Sequence, residues 1–101
     1  MAYTDSVKGA NENIIDTGIT ITLNANYTAP SDGYVTATTG GYQAGKYARI
    51  RTSDNLILAQ VSNPANSAAV GNQSCSLYVR KGTVVKCDGD SDASAIFYPL
   101  R

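Results

Sequence analysis

At 101 residues, with eight basic and eight acidic side chains, the chain is long enough for one thin-cored domain and carries no net charge. It has no histidine and no apolar run near the ~20 residues of a membrane span. That excludes Ser-His-Asp and Cys-His catalysis, the usual zinc sites and helical membrane insertion, while the neutral balance argues against a nucleic-acid partner.

Only 16% of residues are charged, against a typical ~25%. The polar surface must therefore come from Thr, Ser, Asn and Gly. Seven tyrosines supply most of the aromatic area. A tyrosine pairs a large apolar ring with one polar handle, so it suits either the rim of a small core or an interface.

Residues 1–13 are polar and lack periodicity, which predicts an N-terminal arm ahead of one β-sandwich domain over residues 14–101. The start has no apolar signal-peptide region, so the expectation is synthesis in a cytoplasm. From Ile19, apolar Ile21 and Leu23 alternate with Thr20, Thr22 and Asn24, a strand pattern. Pro30-Ser31-Asp32-Gly33 reads as a turn in which Gly33 supplies a positive φ. Residues 34–39 form a short strand ended by Gly40-Gly41. In residues 46–52, Ala48 and Ile50 take one face and Tyr47, Arg49 and Arg51 the other.

Ser53-Asp54-Asn55 is a turn, followed by an apolar run from Leu56 to Val61 that is too short for an ordinary helix. Residues 62–72 read as an exposed loop. Cys75, Leu77 and Val79 then alternate with Ser76, Tyr78 and Arg80. Lys81-Gly82 is a turn, residues 83–87 are a further strand, and Asp88 to Asp92 is a turn. Residues 93–100 close the domain, with Pro99 leaving open which of Phe97 and Tyr98 faces the core. About eight short strands separated by turn signals predict an antiparallel sandwich or barrel.

The chemistry-bearing motifs are few. Asp88, Asp90 and Asp92 alternate as calcium ligands can, but Ala93 stands where an EF-hand has glycine, so a solvated acidic turn is the stronger reading. Gly40-Gly41 leads into no helix and so lacks the amides of a phosphate loop. Spacing alone does not exclude a pair of carboxylates for glycoside cleavage, but the single glutamate, Glu12, lies in the arm and the other acids lie in turns, which argues against one. No enzyme activity, cofactor or metal is expected. Cys75 and Cys87 read as buried free thiols in a reducing site of synthesis, with a bridge the alternative. Arg49, Arg51 and Arg80 share the non-core faces of their strands with Tyr47 and Tyr78, a solvated face or a contact with another subunit.

Four segments in order carry a resemblance. They are Tyr27-Thr28-Ala29-Pro30-Ser31-Asp32-Gly33-Tyr34-Val35, Gly45-Lys46-Tyr47-Ala48-Arg49-Ile50, Ser76-Leu77-Tyr78-Val79-Arg80-Lys81-Gly82-Thr83-Val84-Val85 and Ile96-Phe97-Tyr98-Pro99-Leu100. Together they resemble the globular heads of the complement and tumour-necrosis-factor superfamily. In compact form they are similar to trimeric modules of bacteriophage head fibres, decoration proteins and tail-fibre tips. Thr83 departs from that family's pattern, which has Asp after the turn glycine, and the chain is shorter than most members.

The resemblance implies a compact jelly roll, trimeric about a threefold axis. It also implies that the strands flanking Lys81-Gly82 lie in opposite sheets, with Cys75 and Cys87 pointing inward from each. The expected role is a non-enzymatic virion protein that decorates or caps a capsid, made in the host cytoplasm and placed on the virion surface. Its arm would contact capsid or other virion proteins. The alternative is a receptor-binding fibre tip that holds a host surface glycan through Tyr42 and the loops of residues 40–47 and 62–72. The trimer-interface candidates are Tyr47, Arg49, Arg51, Tyr78, Ile96 and Tyr98, expected together on one sheet face.

Overall fold

The computed structural model describes residues 17–41, 45–63 and 71–100. The predicted arm, Glu12, Tyr42 and most of the loop over residues 62–72 lie outside them. The described residues form eight strands: β1 (Ile19–Thr20), β2 (Asn26–Thr28), β3 (Gly33–Thr38), β4 (Tyr47–Arg51), β5 (Ile57–Ser62), β6 (Ser74–Val79), β7 (Val84–Gly89) and β8 (Ser94–Pro99). They build two four-stranded sheets, β1-β8-β3-β6 and β2-β7-β4-β5, with every pairing antiparallel. Only β4 and β5 are both consecutive and paired, so every other connection crosses between sheets. This is the strand order of an eight-stranded jelly roll.

Alternation decides which side chains meet between the sheets. Val35 and Ala37 of β3, Ala48 and Ile50 of β4, Val85 and Cys87 of β7, and Ala95 and Phe97 of β8 are buried. Phe97 is the largest fully buried side chain, and its ring lies 5.7 Å from that of Tyr27. Phe97 therefore faces the core and Tyr98 the outer surface. β6 and β7 lie in opposite sheets, as expected for the strands flanking Lys81-Gly82. Cys87 is buried, Cys75 is half-buried against the same core, and both are free thiols. Burial first, then the neighbouring charges of Cys75 and Asp88, push the Cys87 thiol up to about 11.

Three local expectations change. The alternation from Ile19 to Leu23 is not one strand, because β1 ends at Thr20. The Ile21 amide still donates to Ala95 in the first sheet (2.9 Å), but the Asn24 amide donates to Cys87 in the second (2.8 Å), so the segment crosses between layers. Gly33 has no positive φ; that conformation belongs to Gly45, Gly82, Asn24 and Asn55. Gly33 is needed for close approach instead, since a Cβ there would lie 2.6 Å from Phe97 Cζ and would strike the Tyr98 carbonyl. Finally, Asp88 and Gly89 belong to β7, so the turn begins at Asp90.

Candidate functional site

The outward-facing residues make two unlike surfaces. On the first sheet the register sets Tyr98, Tyr34 and Tyr78 side by side across β8, β3 and β6. The next rows are Ile96-Thr36-Ser76 and Ser94-Thr38-Ser74. Thr20 of β1 pairs with Ile96 and joins this face. Tyr34 and Tyr78 are 40% and 46% exposed, and their rings meet edge-on with centroids 5.5 Å apart. Hydroxyl pairs join β3 to β6 at Thr36-Ser76 (2.9 Å) and Thr38-Ser74 (2.8 Å). Tyr34, Thr36, Ser76 and Tyr98 line a shallow groove of about 490 Å³. None of these side chains is charged.

The outer face of the second sheet carries the charges. Arg49 donates from Nη2 to Asp88 Oδ2 at 2.6 Å and from Nε to Oδ1 at 3.1 Å, a bidentate pair. Arg51 reaches the same carboxylate at 3.2 Å. Arg49 also lies over the Tyr47 ring, 4.9 Å from its centroid. The hydrogen bond and charge of Asp88 raise the Arg49 pKa further, against an opposing desolvation effect. Asp88 is thus buried by the arginines that neutralise it.

The acidic turn is likewise tied to β4. The Tyr47 amide donates to Asp90 at 2.9 Å, and Lys46 binds Asp92 at 2.7 Å and Asp90 at 3.5 Å. Desolvation works to raise the Asp90 carboxyl, but hydrogen bonds from the Asp92 and Tyr47 amides and the charge of Lys46 outweigh it and hold the pKa below its ordinary value. The expectation of a solvated acidic turn therefore fails at Asp88 and Asp90, whose oxygens serve as receptors for β4. Among the described residues no group of three or more His, Cys, Asp or Glu side chains is arranged to hold a metal ion.

The six interface candidates do not share one face. Tyr78, Ile96 and Tyr98 lie on the first sheet, and Tyr47, Arg49 and Arg51 on the second, across the core. Alternation places each side chain inside or outside but says nothing of which strands share a sheet. Tyr34, Thr36 and Ser76 complete the first face. Their signal was present as strand parity, since Tyr34 opens a predicted strand with the same alternation as Tyr78.

The strand order and the two faces define a small jelly-roll sandwich with uncharged aromatic and hydroxyl rows on one sheet and ion pairs on the other. Comparison with known proteins finds no matching family model, no matching curated protein and no matching solved structure. No helix among the described residues is long and apolar enough to cross a membrane.

Proposed function

We propose that this protein is a non-enzymatic structural subunit of a bacteriophage virion, assembling as a homotrimer through the outer face of its first sheet and decorating or capping the capsid surface. The observation that carries the self-association is the uncharged Tyr98-Tyr34-Tyr78 row with the Ile and hydroxyl rows beside it. Around a symmetry axis each residue comes close to its own copies. A charge there would meet its like, which costs several kcal/mol. The strand rows of Tyr, Ile, Thr and Ser have no such conflict, and Arg80 lies exposed just past the end of β6. The virion role rests on the resemblance of the four segments, which the jelly-roll strand order supports. The lack of histidine and the pairing of Asp88, Asp90 and Asp92 with Lys46 and β4 support a non-catalytic role.

Light scattering on the purified protein should return three times the chain mass. A monomer at high concentration refutes the assembly. Mass spectrometry of purified phage particles should find the chain at a stoichiometry in threes, and its absence from particles refutes the virion role.

The groove favours a second reading, a glycan-binding fibre tip. Two tyrosine rings beside two hydroxyls offer stacking and hydrogen bonding to a neutral sugar. Glycan-array binding that is lost in Tyr98→Ala would select this reading over decoration.

A further inference from the structure

Among the described residues the second sheet leaves positive charge unmatched. Arg51 and Lys86 are direct cross-strand neighbours on its outer face. Like charges directly opposite one another destabilise an antiparallel pair. Asp88 cannot balance both, because it already serves Arg49 bidentately as well as Arg51. The ion pairs among the described residues are made by Lys46, Arg49 and Arg51, and none by Lys86. Arg51 is itself largely covered, 18% exposed, and its Nε is closed off with no acceptor among the described residues, so Lys86 is the more open of the two charges. The register shift between Ile50 and Arg51 marks a bulge at this point, a device that re-aims a side chain.

The surroundings of the pair are exposed and mixed: Asn26 pairs with Lys86 on its other side and Thr28 with Val84, beside two apolar side chains. Ile57 pairs with Arg51, and Val84 lies two residues from Lys86 on the same face. Ile57 is 46% exposed and Val84 37%. The patch is a flat sheet surface that lacks the convergent backbone amides of a phosphate site. With Arg49, Arg51 and Lys86 set against Asp88, it is also too small for the basic stripe of a nucleic-acid surface.

We propose that the Arg51-Lys86 patch, flanked by Ile57 and Val84, is a docking surface for a carboxylate-bearing, partly apolar segment of a second protein. The carboxylate lies against Lys86 and the outer edge of Arg51, and the partner's apolar side chains cover Ile57 and Val84. The surface is separate from the tyrosine row and does not depend on the oligomer.

The probe is a fluorescent synthetic peptide alternating glutamate with leucine, with a lysine-leucine peptide as control. The acidic peptide should bind at low salt and lose affinity at 1 M salt, where the screening length is ~3 Å. Lys86→Gln should weaken it roughly two- to fivefold, the worth of one exposed ion pair. Amide shifts in wild-type NMR spectra should centre on residues 49–51, 57 and 84–88. Arg51→Gln risks the fold through Asp88, so Lys86→Gln carries the test. The proposal is overturned if the acidic peptide does not bind, if Lys86→Gln binds it as well as wild type does, or if the lysine peptide binds equally.

Discussion

Asp88 lies on the outer face of β7 yet is 6% exposed, because two arginines of the neighbouring strand cover it. An anion between two guanidinium groups in partial burial is worth more than a free surface pair, and its loss leaves both cations without a receptor. Asp88→Asn should lower unfolding stability by about 1.5–3 kcal/mol, the value of charged hydrogen bonds, measured by urea denaturation at neutral pH. Asp90 gives the second prediction at this scale. Its folded pKa is depressed, so its contribution is complete above the ordinary carboxylate value of 3.8 and is lost as the pH falls through the folded value. The urea midpoint should therefore drop from neutral pH to below about pH 4. In Asp90→Asn the drop should be smaller, because the asparagine has no proton to gain. An equal drop in both proteins would assign the acid sensitivity elsewhere.

β3 shows how glycine can act by close packing alone. The strand lies between β8 and β6, and Gly33 pairs with Pro99 on one side and Val79 on the other. Backbone on β8 cannot yield to a new methyl group as a flexible side chain could. Gly33→Ala should cost about 1–3 kcal/mol in the same denaturation experiment, the usual cost of overpacking. Gly82→Ala acts by another route, since its φ of 89° strains any L-residue. The strands themselves were legible: Tyr47 to Arg51 and Ser74 to Val79 alternate as their sequences predict, because each is half-buried on one side. The crossing after Thr20 was not, because Ile21 and Leu23 turn inward whether they belong to a strand or to a passage between layers. The grouping of Tyr78 with Tyr98 rather than with Tyr47 was equally hidden. It depends on pairings between segments distant in sequence, which no local period encodes. β5 is an edge strand with Ile57 46% and Leu58 42% exposed, and its bulge opposite Arg51 interrupts the regular ladder that an unwanted strand would extend.

The whole molecule presents unlike faces on opposite sides of one thin core, which lets the two proposed contacts be broken separately. Tyr78 is the best residue for testing the first face. It is 46% exposed on an edge strand, so a polar replacement costs the isolated subunit little. Within a trimer the same replacement would bury a carboxylate with no partner beside tyrosine rings, at a cost of about 2–5 kcal/mol per contact. At the upper end that raises the dissociation constant by more than ~1,000-fold, since each 1.4 kcal/mol is tenfold. Tyr78→Asp should therefore keep the far-ultraviolet spectrum of the wild type while light scattering reports the single-chain mass. It should still bind the acidic peptide, because the charged sheet is on the other side of the core. Lys86→Gln should do the reverse, keeping the trimer mass and weakening peptide binding about two- to fivefold. A Tyr78→Asp protein that stays trimeric would move the assembly surface off the tyrosine row, and a Lys86→Gln protein that falls apart would place the charged sheet in the subunit interface.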